Sequence, residues 1–209
     1  MNLLVIGATG GTGTEVIKQA LAAGHRVTAL VRDPNKLPLQ HPALRVVQGD
    51  VLDATAVARA LEGCEAVVSA LGVKLGQPPG STRSRGTRTL VELMQLGAVR
   101  RLVAVSTVGA GDSRRAQSMI SRWLLPRLIG AARLAEADAQ EAIIAASALA
   151  WTIVRPPRLV DGPMTGSAQA AVGLRTSMRS QIRRADLAHF LLDEAVKNQF
   201  VRAAPTVSA

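Results

Sequence analysis

The chain has 209 residues, a formal net charge of +10 from 25 lysines and arginines against 15 aspartates and glutamates, one cysteine and no tyrosine. That length suits a single domain burying roughly 70% of the surface its unfolded chain exposes, so folding needs neither disulfides nor a structural metal. Lone Cys64 excludes an internal disulfide, three scattered histidines lack metal-ligand spacing, and no apolar run approaches the ~20 residues of a membrane span, which indicates a metal-free cytoplasmic protein.

In chain order, short apolar runs alternate with segments of helical period. LLVIG at 3–7 precedes a helix over 14–23; RVTALV at 26–31 and LRVVQ at 44–48 precede a helix over 54–61; AVVSAL at 66–71 precedes one over 84–96. RLVAVS at 101–106 is followed by a helix over 134–146, WTIVR at 151–155 by a helix over 184–196, and QFVRAA at 199–204 reads as a last strand. The strands are continuously apolar rather than alternating, so both faces are buried and the sheet is parallel, between two helix layers. The expected fold is α/β: one doubly wound Rossmann-like domain over 1–209, with about six to seven strands. Ligands bind such sheets at the carboxyl ends of the strands, which makes the loops 73–83, 107–130 and 156–175 the expected substrate walls.

The turn after the first strand, GATGGTG, spaces Gly7, Gly10 and Gly13 as G-x-x-G-x-x-G. Glycine there permits a tight strand-to-helix turn, brings backbone against a pyrophosphate, and lets the helix pack closely on the sheet. The helix N-terminus offers free N–H groups and a partial positive charge, to which Thr9, Thr12 and Thr14 add hydroxyls. At the end of the second strand, where an NAD enzyme carries an acidic residue, this chain has Arg32, suited to a 2′-phosphate and hence to NADPH (NADP+). Asp33 takes the acidic role if Arg32 faces solvent. Further on, Asp50 and Val51 are placed for adenine, and Ala70, Leu71 and Gly72 for a ribose; a turn cap is the alternative reading of Asp50.

With GATGGTG, LVRDP, GDVLD, SALG and VAVS in this order, the chain resembles an atypical short-chain dehydrogenase/reductase of the NAD(P)-binding, NmrA-like group. The run SALAWTIVRPPRLVDGPMTG makes it most similar to the biliverdin-IXβ reductase / flavin reductase family. The resemblance implies an NADPH-dependent monomeric reductase whose substrate is a flavin (FMN, FAD or riboflavin) or a linear tetrapyrrole such as biliverdin, lying over the nicotinamide. It implies that Gly7, Thr9, Gly10, Gly11, Thr12 and Gly13 meet the pyrophosphate, and that Arg32 with Lys36 holds the 2′-phosphate. Asp50 and Val51 would flank adenine, Leu71 and Gly72 the ribose, and Ser106 the nicotinamide region. Pro156, Pro157, Arg158 and Leu159 would lie along the carboxamide face, with Lys74, Thr107, Trp123 and Arg158 toward substrate. The chain departs from the family at Arg158 and Glu141, where histidines often stand.

Without tyrosine the Tyr-x-x-x-Lys way of moving a proton is closed, while a flavin needs only a hydride on its ring nitrogen and a proton from water. Ser106 lacks a G-x-S-x-G elbow and a histidine partner, so it reads as a cofactor-side residue and not a nucleophile. The positive charge suits an anionic planar substrate meeting Lys74, Arg155, Arg158 or Arg175, and with no aromatics interleaved among the arginines, nucleic acid is not the expected partner. The stretch 113–130 reads as a lid carrying Met119 and Trp123, or else as a basic amphipathic surface. The alternative to the enzyme is a non-catalytic NADP(H)-binding redox sensor of the NmrA-like kind.

Overall fold

In a computed structural model of the protein, residues 1–72, 80–116, 127 and 130–209 are described. Among them, β1 (Asn2–Ile6), β2 (Arg26–Val31), β3 (Leu44–Gln48), β4 (Ala66–Ser69), β5 (Arg101–Val105) and β6 (Ala150–Val154) form one parallel sheet in the order β3-β2-β1-β4-β5-β6. The helices are α1 (Gly11–Ala22), α2 (Ala54–Leu61), α3 (Thr82–Leu96), the single turn α4 (Ser113–Ala116), α5 (Ala131–Ala145) and α6 (Arg184–Lys197).

The double-faced burial expected from the sequence is visible within β1. Leu3 and Val5 pack with Val16, Ile17, Leu187 and Leu191 of α1 and α6, whereas Leu4 and Ile6 pack with Val57, Leu90, Met94 and Ile144 of α2, α3 and α5. Side chains two apart share a face, so a fully apolar strand serves two cores at once. Helix α2 starts where Asp53 accepts a bond from the Thr55 N–H, satisfying one of the free donors of the first turn. Beneath β5 the buried Arg101–Glu194 pair, at 2.6 Å, ties α6 to the sheet.

Two expectations are corrected. Residues 199–204 are not a strand: the segment runs beside β6, with Arg202 N–H bonded to Trp151 O and Ile153 N–H to Ala203 O, but Arg202 sits at φ 54 and Pro205 lacks a donor, so no ladder forms. The last strand is β10 (Thr206–Ser208), antiparallel to β8 (Gln169–Ala171). The loop after β6 also holds β7 (Arg158–Val160), which pairs in parallel with β9 (Gln181–Arg183). No helix among the described residues is long and apolar enough to cross a membrane.

The strand order reverses between β1 and β4, so the connections from these two strands leave in opposite directions and open a crevice at their carboxyl ends.

Candidate functional site

The glycine turn fills one side of this crevice. Gly7 has φ 78, and a Cβ there would stand 2.5 Å from the Ala70 carbonyl oxygen, so β1 and β4 meet too closely for any side chain. Gly10 is the extended N-cap of α1, and its N–H bonds to Gly7 O at 3.0 Å. A Cβ on Gly13 would collide with that same Gly7 oxygen, so the first turn of α1 rests directly on the turn that precedes it. These contacts carry the helical hydrogen bonds back to Gly11, earlier than the apolar period of α1 alone indicates. Of the three threonines, Thr9 and Thr12 border the crevice, while Thr14 turns inward to donate to Ala8 O at 3.0 Å and is corrected as a ligand group.

Two clefts share Gly10, Ala70, Leu71 and Gly72. The first, of about 470 Å³, is bordered by Gly7, Thr9, Arg32, Lys36, Asp50 and Val51. Here Asp33 is occupied otherwise: its carboxylate accepts the Asn35 N–H at 3.1 Å as the cap of a short 3-10 turn and faces Lys36 Nζ at 3.7 Å. Arg32 is exposed and borders the cleft, whereas Asp33 does not border it. Asp50 fills both roles considered for it, accepting the Leu52 N–H at 2.9 Å while bordering the cleft. Val51 is buried against Gly86, where a Cβ would come within 2.5 Å of its Cγ1.

The second cleft, of about 310 Å³, takes in Gly11, Thr12, Gly13, Ser106, Thr107 and Leu159. A Cβ on Gly72 would meet nothing within 4 Å, so the space beside the end of β4 is open. Pro156 is buried and Arg158 is exposed on β7, and neither they nor Pro157 border these two clefts. Lys74, Met119 and Trp123 lie outside the described residues, as does most of the stretch read as a lid.

Ser106 ends β5 within a buried polar chain. Its Oγ donates to Glu141 Oε1 at 2.5 Å; Arg155 donates from Nε to the same oxygen at 3.0 Å and from Nη2 to Glu141 Oε2 at 2.6 Å. Arg155 Nη1 then reaches exposed Asp112 at 2.6 Å. Burial by itself pushes the Arg155 pKa down, but the bonds and charge of Glu141 and Asp112 outweigh it and hold the group above its ordinary value. Gly111, at φ 53, covers the pair, and a Cβ there would collide with both side chains. Arg155 is therefore corrected as a substrate contact: its guanidinium is spent on Glu141 and Asp112. A serine has one proton, and with that proton directed at Glu141, Ser106 Oγ faces any further neighbour as an acceptor.

Sequence reasoning missed the four charged residues of the second cleft: Arg83, Arg133, Glu136 and Arg184. Arg83 donates from Nε to Gln140 at 2.7 Å and from Nη2 to Val105 O at 2.9 Å. Burial pushes its pKa down to about 10, with Glu141 and Glu136 opposing, so it stays charged at neutral pH and gives the cleft a fixed positive charge. The only available signal was the position of these residues in helical first turns, Arg83 in α3 and Arg184 in α6. The histidines play no part here: His25 Nδ1 lies 3.2 Å from the Met1 amine and His41 Nδ1 accepts the Ala43 N–H. Among the described residues no group of three His, Cys, Asp or Glu could hold a metal ion.

A 3-2-1-4-5-6 parallel sheet with a glycine turn at its reversal point defines a Rossmann-type dinucleotide-binding fold. The cradle fits the group: Cβ atoms at Gly7 and Gly13 are sterically forbidden, and the space beside Gly72 is open. Residues 7–198 match the NAD(P)H-binding family model, and the chain belongs to that family. It is 31% identical to an uncharacterized chloroplastic protein of Arabidopsis thaliana over 79% of this chain, and it spans 61% of that protein's length. Among solved structures it is similar to ChuY, an anaerobillin reductase from Escherichia coli O157:H7, with a TM-score of 0.84 and 25% identity, covering 99% of this chain and 96% of ChuY. It shares the fold, at a TM-score of 0.86 and 15% identity, of a short-chain dehydrogenase/reductase from Veillonella parvula solved in complex with NADP, with 100% of this chain and 94% of that one covered.

Proposed function

We propose that the protein is an NADPH-dependent reductase that passes hydride to a flavin (FMN, FAD or riboflavin) and to linear tetrapyrroles of the biliverdin kind. The observation that carries this reading is the second cleft itself: the fixed Arg83 guanidinium charge and small or apolar groups beside the glycine turn, with the Ser106 hydroxyl at the strand end already bonded to Glu141. Such a site positions a flat, anionic acceptor without needing to protonate it. Bound NADPH supplies the hydride. The chain's own residues supply orientation, an entropy term that reaches ~7 to 11 kcal/mol in favourable cases. Gly7, Thr9, Gly10, Gly11, Thr12 and Gly13 would meet the pyrophosphate, Arg32 and Lys36 the 2′-phosphate, and Asp50 and Val51 the adenine. Ala70, Leu71 and Gly72 would border the ribose, and Leu159 the carboxamide face. Thr107, Lys74 and Trp123 are the proposed substrate contacts.

The test of turnover is to add FMN, FAD, riboflavin or biliverdin to purified protein with NADPH and follow NADPH absorbance. Oxidation with at least one acceptor is expected; tight NADPH binding without turnover of any acceptor would make the protein a sensor of NADP(H) instead. The cofactor preference rests on Arg32. Each charge-assisted bond to the 2′-phosphate contributes ~1.5 to 3 kcal/mol, so Arg32→Ala is expected to cut the NADPH to NADH preference by roughly ten- to a hundredfold. An unchanged ratio would remove Arg32 from the site.

Ser106→Ala keeps the Glu141–Arg155 pair and deletes a small acceptor together with its bond to Glu141. We expect turnover to fall about tenfold, equivalent to ~1.4 kcal/mol, with NADPH affinity nearly unchanged. A loss of thousands of fold in single-turnover measurements would instead place Ser106 at the centre of the chemistry.

A further inference from the structure

The first turn of α6 brings Arg184 across the glycine turn from the far end of the chain. A Cβ on Gly11 would stand 2.7 Å from Arg184 Cδ and 2.9 Å from its Nε, so Gly11 lacks a side chain where the arginine stem passes. Gly11 is thus explained by a partner that G-x-x-G-x-x-G spacing does not mention, since its backbone does not need the left-handed region. Arg184 borders the second cleft together with Gly10, Gly11, Thr12 and Gly13, and its Nη1 is bonded to Asp161 at 2.6 Å. Asp161 itself is 89% exposed, and an ion pair with so hydrated a partner is weak and easily exchanged.

We propose that Arg184 is a pyrophosphate-binding side chain, parked on Asp161 in the free protein and transferred to the dinucleotide when it binds. The inference rests on the cofactor reading above and adds to it a residue outside the glycine turn. The stem lying on Gly11 sets the guanidinium beside the N-terminus of α1, where free N–H groups and the helix dipole already favour an anion. A guanidinium can bind two phosphate oxygens at once, which a single exposed carboxylate on a loop does not match in charge or in rigidity. Asp161 therefore acts as a competitor of the cofactor: it keeps Arg184 extended over the turn when no dinucleotide is bound and gives it up to a stronger anion.

The test separates pyrophosphate from 2′-phosphate by comparing NADPH with adenosine 2′-monophosphate, which carries no 5′-phosphate. Calorimetric or fluorescence titration of Arg184→Met is expected to show roughly ten- to a hundredfold weaker NADPH binding and almost unchanged binding of the monophosphate. Arg32→Ala is expected to weaken both ligands. Arg184→Lys should recover part of the NADPH affinity, and Asp161→Ala should raise it up to about fivefold by freeing the guanidinium. Thermal midpoints of the variants within a few degrees of the parent, together with retained monophosphate binding, show that the fold beside the cleft is intact. Equal NADPH affinity in Arg184→Met and the parent, or equal losses for both ligands, would overturn the proposal. A parent protein that binds neither ligand would overturn the cofactor reading and this inference with it.

Discussion

Arg155→Met is expected to lower unfolding free energy by about 3 to 5 kcal/mol, the cost of leaving a buried ion without its partner. Methionine keeps most of the volume, so what the substitution removes is charge. Glu141 would be left buried with only the Ser106 hydroxyl at 2.5 Å, having lost both bonds from the guanidinium. For a domain of this size the loss corresponds to a thermal midpoint lower by roughly 6 to 20 °C. The double variant Glu141→Leu with Arg155→Met should regain most of the stability, since two apolar groups replace the pair without an uncompensated ion. Urea denaturation at pH 7.5 checks both statements; a single-variant loss below about 1 kcal/mol would mean the pair is solvated and dispensable.

Gly13→Ala carries the second large effect, on binding. The added methyl would meet the Gly7 carbonyl oxygen, which is backbone and cannot rotate away, so α1 must lift from the end of β1. Overpacking of this kind costs about 1 to 3 kcal/mol in stability. Its larger consequence falls on the phosphate turn, where Gly10 N–H is fixed on Gly7 O and the N–H groups of the first helical turn share one aim. Loss of two such charge-assisted bonds, at ~1.5 to 3 kcal/mol each, weakens NADPH binding more than a hundredfold. Fluorescence titration with NADPH reads this directly. Gly24→Ala serves as the control, since a Cβ there meets nothing within 4 Å, although its φ of 77 still makes alanine mildly strained.

The fold was largely legible because its determinants are local and periodic. Apolar runs at 26–31 and 44–48 became β2 and β3 with the same bounds, and 54–61 became α2, since the apolar period is written into neighbouring residues; β3, at the sheet edge, is nonetheless not buried. Local signals failed where the backbone answers to distant partners. The start of α1 moved back to Gly11 because the turn packs on Gly7, and 199–204 lost its strand because Arg202 and Pro205 interrupt pairing along the edge of β6. The candidate site divided in the same way: Arg32, Asp50 and Leu71 follow strand ends in a fixed alternation, and the alternation located them at one cleft.

What the sequence determined by itself was the class of the fold, the glycine turn, the basic residue after the second strand, and the chemistry closed to a chain without tyrosine. Only the tertiary structure decided what the polar residues do. Ser106 bonds to Glu141, Arg155 joins them and is withdrawn from substrate, and Arg184 crosses Gly11, pairings between elements far apart in the chain. The physical reason is that a strand or helix follows from spacings of two or of three to four residues. The partner of a buried charge follows instead from which elements the sheet order sets side by side, and no spacing records that.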